Sequence, residues 1–129
     1  MTDGAIHWMA VLTIHEGALE EFRRLAEETI TTAKANEPGQ LVYEWHLSPD
    51  GRTCHVDEWY LDTEAALAHV HGEAVTVKLP ALLSACDFTA LWIYSPIASD
   101  ELRIALEGFG AQFWDNWAGH SRGTSMSDA

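Results

Sequence analysis

The chain has 129 residues, the usual length of one domain, and its 47% hydrophobic content predicts a core that folds without disulfides or metal. Seven basic residues against 20 acidic residues give a net charge of −13, which excludes nucleic acid and anionic membrane surfaces as partners because both would be repelled. The sequence has no apolar run near the ~20 residues of a membrane span and no secretory leader, which predicts a cytoplasmic protein.

The first strand and the first helix are predicted from two contrasting patterns. Residues 7–14 (HWMAVLTI) are almost wholly apolar, which is typical of a strand covered on both faces. Between residues 18 and 33, apolar side chains recur at helical spacing, while glutamate and arginine occupy the opposite side. The segment Asn36-Glu37-Pro38-Gly39 then stops the helix.

A β-hairpin is predicted next along the chain. Residues 41–47 (LVYEWHL) and 53–60 (TCHVDEWY) have the composition of the second and third strands. Between them, Ser48-Pro49-Asp50-Gly51 supplies the residue types of a tight turn.

The second half of the chain repeats the order of helix and strand. A helix capped by Asp62 or Thr63 is predicted to run to about Ala85, kinked or divided at Gly72 and Pro80. A fourth strand follows, over residues 88–94.

A last helix is predicted beyond the fourth strand. Ser99 is its expected cap, and residues 119–129 are expected to form a flexible tail. The apolar side chains that recur at helical intervals in this segment are Leu102, Leu106, Phe109 and Phe113.

The order of these elements predicts an α+β fold of the ferredoxin-like βαββαβ type, with an antiparallel sheet and an extra C-terminal helix. Helices cover one face of such a sheet, so an apolar second face predicts a homodimer in which two sheets pack together. The last helix could cover part of that face instead. The two sides of the first strand carry Trp8, Ala10, Leu12 and Ile14 on one and Met9 and Val11 on the other.

Three stretches of the sequence form an ordered pattern. They are VLTIHEG with the helix ALEEFRRLAEET behind it, then Glu37-Pro38-Gly39 followed by LVYE, then the run from Glu58 to His69. The pattern, over about residues 6–95, resembles the antibiotic biosynthesis monooxygenase family, whose third strand typically reads Glu-x-Trp with a helical histidine eleven residues beyond the glutamate. Glu58 and His69 keep that spacing, while Tyr60 takes the place of the tryptophan.

The resemblance implies a dimeric α+β barrel with a domain at residues 5–96, a C-terminal helical extension at 97–118 and a tail at 119–129. It implies a cofactor-independent monooxygenase that oxidises a small quinol or polyketide-like aromatic, so the expected partners are that substrate, O₂ and a second copy. Two alternatives on the same fold are a non-catalytic small-molecule-binding or accessory dimer and an isomerase of small metabolites.

His69 and Glu58 are the residues that the resemblance implies for catalysis. An imidazole suits proton transfer near neutral pH, and a carboxylate that orients an imidazole also tunes it. A purely structural contact between the two residues is the alternative. The aromatic side chains that could enclose a flat substrate, or simply fill the core, are Tyr43, Trp45, Trp59, Tyr60 and Trp92, together with Trp8.

No metal is predicted. Cys54 and Cys86 lie in apolar runs, lack Cys-x-x-Cys spacing and are expected to be buried thiols. His7, His46 and His55 lie on strands whose neighbours the sequence does not reveal, so a metal site built from them stays open as an alternative.

No cofactor is predicted either. Haem-degrading members of the family typically have Asn on the first strand, Trp on the second helix and a haem-ligating His about ten residues later. Ala10, His69 and Leu79 stand at those places, which argues against haem degradation. The chain also has no phosphate loop or nucleotide fingerprint.

Overall fold

The computed structural model describes residues 4–122, and their helices and strands follow the predicted α+β order. The strands are β1 (Ile6–Ile14), β2 (Gln40–Leu47), β3 (Thr53–Tyr60), β4 (Cys86–Ile93) and β5 (Ala111–Phe113). The helices are α1 (Leu19–Asn36), α2 (Thr63–Val70), a π-helical segment (Ala74–Lys78), α3 (Leu79–Leu82) and α4 (Asp100–Glu107).

The strands pair in the order β2-β3-β1-β4-β5, which confirms the ferredoxin-like plan. The pairs β2–β3, β1–β3 and β1–β4 are antiparallel, whereas β4 and β5 are parallel. Alternate residues of β1 point towards the helices and are buried, as the period of a strand requires. They are Ile6, Trp8, Ala10, Leu12 and Ile14.

The helix caps lie where the sequence predicts them. The carboxylate of Asp62 accepts a hydrogen bond from the backbone N–H of Ala65, and the hydroxyl of Ser99 accepts one from the N–H of Leu102. The helical region after Asp62 is broken at Gly72, before the π-helical segment, which confirms the predicted kink. None of the helices within residues 4–122 is long and apolar enough to cross a bilayer.

The C-terminal segment differs from its prediction. Phe109 and Phe113 were expected on the last helix, but that helix ends at Glu107, so Phe109 lies in the following turn and Phe113 lies in β5. The physical reason is Gly110, whose φ of +79° turns the chain out of the helix and back along β4. Residues 119–122 of the predicted tail have no regular structure, and residues 123–129 lie outside the described part of the chain.

The face of the sheet away from the helices is less apolar than expected. Met9 and Val11 lie on it, but β3 adds His55 and Asp57 beside them. His7 on the same face forms a 2.6 Å contact from Nε2 to Oδ1 of Asp57 and stacks on Trp59 at a centroid distance of 4.1 Å. The open face therefore combines apolar patches with paired polar groups.

The start of β2 is packed tightly against the first turn of α2. A Cβ added at Gly39 would lie 2.6 Å from the Cβ of Ala65, which is closer than two non-bonded carbon atoms approach in proteins. We expect Gly39→Ala to lower the free energy of unfolding by about 1–3 kcal/mol in urea titrations. The double variant Gly39→Ala/Ala65→Gly should recover part of that loss, and a fully stable single variant would contradict the contact.

Candidate active site

A cavity that opens to solvent lies between the sheet and the helices. The strands β1 to β4 supply one wall, and the helices α1 and α2, the π-helical segment, α3 and α4 supply the other. Most of the lining is apolar or aromatic, which suits a small organic ligand. The lining includes Trp8, Tyr43, Trp45, Glu58 and His69.

His69 is held between two buried carboxylates. Its Nδ1 lies 2.7 Å from Oε1 of Glu37, and its Nε2 lies 3.3 Å from Oε1 of Glu58. All three side chains are buried, and each comes from a different element: the end of α1, β3 and the last turn of α2. The close packing of α2 against Gly39 brings these elements together.

Two further side chains close the group into a ring of hydrogen bonds. The hydroxyl of Tyr60 donates to Oε1 of Glu58 at 2.6 Å, and Nε2 of Gln40 donates to the hydroxyl of Tyr60 at 3.1 Å. The same Nε2 of Gln40 lies 3.4 Å from Oε1 of Glu37. Glu37, Gln40, Glu58, Tyr60 and His69 thus form a connected network, which fixes the orientation of each member.

The network makes His69 a cation at neutral pH. Burial lowers the pKa of the imidazole, but the hydrogen bonds to Glu37 and Glu58 and the charges of both carboxylates outweigh burial and raise the pKa from 6.5 to about 9. With both ring nitrogens directed at carboxylates, the imidazolium is oriented and has no nitrogen free to accept a proton.

The protonation state of His69 can be tested directly. Because its folded pKa lies above the ordinary value of 6.5, its stabilising effect is complete below pH 6.5 and is lost as the pH rises through about 9. We expect ¹⁵N NMR at pH 7.5 to show both ring nitrogens of His69 protonated. A neutral ring at that pH would contradict this account of the network.

The phenols beside His69 stay neutral. Burial and then the charges of Glu58 and Glu37 raise the pKa of Tyr43 well above 10, and burial and Glu58 raise that of Tyr60. The ring of Tyr43 contacts His69 edge to face at a centroid distance of 5.5 Å. Tyr43 can therefore donate its hydroxyl proton in a hydrogen bond.

Trp45 adds a second unpaired donor to the cavity wall. Its indole nitrogen is buried and has no hydrogen-bond partner among residues 4–122. Leaving a buried N–H without a partner costs about 1–3 kcal/mol of stability. The indole N–H of Trp45 is therefore, within this range, a free donor in the cavity wall that is kept at a cost in stability.

A comparison with protein-family models matches residues 5–77 to the antibiotic biosynthesis monooxygenase model. The match spans more than half of the 129 residues. The chain belongs to the antibiotic biosynthesis monooxygenase family. No curated protein matches the sequence.

Several solved structures are similar to the chain in fold. MupZ from Pseudomonas fluorescens has a TM-score of 0.79 at 23% identity, covering 95% of this chain and 98% of its own. A protein from Caulobacter crescentus CB15, provisionally named an antibiotic biosynthesis monooxygenase, has a TM-score of 0.62 at 26% identity, covering 70% and 85%. One of the same provisional name from Bacteroides thetaiotaomicron has a TM-score of 0.65 at 19% identity, covering 76% and 94%. Because 95% of the chain is covered, the likeness to MupZ extends into the C-terminal segment.

The structure brings together some of the residues that family resemblance implied. Tyr43, Trp45, Glu58 and His69 line the cavity, while Tyr60 lies behind Glu58 and holds it.

Two other predicted substrate-binding residues lie elsewhere. Trp59 is paired with His7 and stacks on it, on the open face of the sheet. Trp92 is paired with Met9 and donates its indole N–H to the side chain of Gln112. The alternation of side chains along β3 and β4 directs both away from the cavity, because each differs by one position from a residue that faces the helices.

Sequence reasoning missed Glu37 and Gln40. Glu37 was interpreted as part of the segment that stops α1 and of the family pattern, without a role in the site, yet it is buried and bound to His69. Its neighbours Pro38 and Gly39 carry the family pattern, so that pattern was the available signal. Within residues 4–122, no group of three or more His, Cys, Asp or Glu side chains is placed to hold a metal ion. Cys54 and Cys86 are buried free thiols, as predicted.

Proposed function

We propose that this protein is a cofactor-independent monooxygenase that oxidises a small quinol or polyketide-like aromatic with O₂. The observation that carries the proposal is an apolar, aromatic cavity with one buried carboxylate–imidazolium pair, Glu58 and His69, in its wall. Membership of the antibiotic biosynthesis monooxygenase family supports the reaction class. The flat walls formed by Trp8, Tyr43 and Trp45 suit an aromatic substrate.

In this proposal Glu58 takes a proton from the substrate, and His69 orients the carboxylate of Glu58. Tyr60 and His69 both contact Glu58 through Oε1, so within residues 4–122 Oε2 is left for a substrate hydroxyl or an acidic C–H. The imidazolium beside it stabilises the negative charge that forms on the substrate. His69 itself is already protonated at neutral pH, so the structure favours an orienting role for it over that of the base.

The deprotonated substrate then supplies the electrons that reduce O₂. A carbanion at an anthrone-type CH₂ gives its electron pair to O₂ in single-electron steps, forms a C–O bond and becomes a hydroperoxide on protonation. Loss of the second C–H proton breaks the O–O bond and releases water. The balance is CH₂ plus O₂ to C=O plus H₂O, and the apolar cavity protects the reactive anion from solvent.

Oxygen uptake tests the proposal. Purified protein should accelerate oxygen consumption by quinols and anthrones such as 1,8-dihydroxyanthrone above the rate in buffer and above that of heat-denatured protein. If the protein accelerates oxygen consumption with none of these substrates, the proposed monooxygenase activity is refuted.

A non-catalytic small-molecule-binding dimer is the second candidate. The observation that favours it is that the ionisable groups His69, Glu37 and Glu58 bind one another, as a purely structural network would. Saturable binding of an aromatic ligand without oxygen uptake would support this candidate instead.

We further propose that two copies pair through the open face of the sheet and that the protein is cytoplasmic. Members of the family are typically dimeric, and Met9 and Val11 supply an apolar centre to the open face. The two buried free thiols are consistent with a reducing compartment. Light scattering at micromolar concentration should give twice the monomer mass of 14.3 kDa, and a monomer would exclude the pairing.

A further inference from the structure

A second, open pocket lies outside the cavity, where α1 ends and β2 begins. Its empty volume, including the mouth, is about 680 Å³. Ile30 and Pro38 give it apolar walls, whereas Lys34, Gln40 and Tyr43 bring polar groups. We call it the outer pocket.

The outer pocket adjoins the candidate active site. Tyr43 lines both the outer pocket and the inner cavity, so its ring is the partition between them. Glu37 and Gln40, also in the lining, belong to the hydrogen-bonded network around His69. A ligand in the outer pocket would therefore lie next to the reacting groups.

Two donors in the outer pocket have no partner. The hydroxyl of Tyr43 makes no hydrogen bond with any residue in the range 4–122, and burial keeps it protonated by raising its pKa. Lys34 is exposed, and its ammonium group has no carboxylate within ion-pair distance in the same range, although Glu37 lines the same pocket. The other lysine, Lys78, lies 3.8 Å from Glu28.

The position of Lys34 at the end of α1 can also be explained by the helix dipole. A cation in the last turn of α1 stabilises the helix dipole wherever its side chain points. That effect does not account for an apolar pocket beside the cation or for the free hydroxyl of Tyr43 on the same wall. Apolar walls with two free donors in the same lining are features of a site for an anionic organic molecule.

We propose that the outer pocket binds the carboxylate of an aromatic acid, with the ammonium of Lys34 and the hydroxyl of Tyr43 donating to its oxygens. The aromatic body packs on Ile30 and Pro38 and extends past Tyr43 towards the inner cavity. The inference rests on the proposed use of the cavity as a substrate site, and it adds a carboxylate to the proposed aromatic substrate as a group that strengthens binding.

Binding of two matched probes tests the inference without any turnover. 2-Naphthoate and 2-naphthamide have the same ring system and differ in charge. Calorimetry in low salt should show 2-naphthoate binding more tightly, and 0.5 M salt should reduce the difference by screening. We expect Lys34→Gln to weaken the binding of 2-naphthoate roughly fivefold and to change the affinity for 2-naphthamide by no more than about twofold.

Lys78→Gln is the matched control, because it changes the net charge by the same amount away from the pocket. It should leave both probes unchanged. Tyr43→Phe should weaken 2-naphthoate roughly threefold while keeping the ring that separates the two spaces.

Three results would overturn the inference: no binding of 2-naphthoate, equal affinity for both probes, or equal effects of Lys34→Gln and Lys78→Gln. Failure of the oxygen-uptake experiment would leave these binding results intact, so the two proposals fail separately.

Discussion

Replacing His69 with alanine should lower the free energy of unfolding by about 3–5 kcal/mol. The substitution removes the cation between Glu37 and Glu58 and leaves two buried carboxylates without their shared partner. An uncompensated buried charge is among the largest single destabilising effects in proteins. Urea unfolding at pH 7 measures the loss.

His71 provides the control on the same helical region. Its Nε2 lies 3.0 Å from Oε2 of Glu101, but both side chains are exposed. His71→Ala should therefore cost no more than about 1 kcal/mol. The double variant Glu37→Gln/His69→Ala should recover part of the loss, because one of the stranded charges is gone. Equal, small losses for His69→Ala and His71→Ala would contradict the buried network.

Replacing Glu58 with glutamine should reduce oxygen consumption at least ~100-fold, with a smaller change in KM. Glutamine keeps the shape of the side chain and can still contact Tyr60 and His69, but it cannot accept a proton from the substrate. The effect should therefore fall on kcat. Steady-state oxygen uptake against a quinol or an anthrone measures it.

Glu44→Gln is the matched control for this prediction. Glu44 lies on the neighbouring strand, is exposed and approaches His46 at 3.9 Å. Its replacement changes the net charge equally and should leave kcat unchanged. If Glu58→Gln retained its activity, Glu58 would not be the group that accepts the proton, although the cavity could still be the site of the reaction.

Regular periodicity accounts for most of what the sequence predicted. The continuous apolar run of β1 and the helical spacing in α1 are local patterns set by burial, and the caps at Asp62 and Ser99 are local hydrogen bonds. β5 was not predicted because three residues are too few to show a period, and no sequence pattern indicates that the chain reverses at Gly110.

The candidate site was predictable only in part, since its contacts join distant parts of the chain. The spacing of Glu58 and His69 matched the family pattern, and the two side chains meet at 3.3 Å. The contact between His69 and Glu37 spans 32 positions and depends on how α2 lies against Gly39, which no local pattern encodes. Trp59 and Trp92 were wrongly expected in the site, because aromatic composition does not reveal which face of a strand lies towards the cavity.

Isotopic labelling of the product tests whether this protein transfers oxygen from O₂ to its substrate without a cofactor. Protein that has been dialysed against a chelator and contains no flavin by absorbance would be supplied with 1,8-dihydroxyanthrone and ¹⁸O₂. The proposed reaction predicts protein-dependent uptake of one O₂ per substrate and one ¹⁸O atom in the new carbonyl. Absence of protein-dependent uptake, or uptake that returns only when metal or flavin is added, would contradict cofactor-independent oxygenation by this cavity.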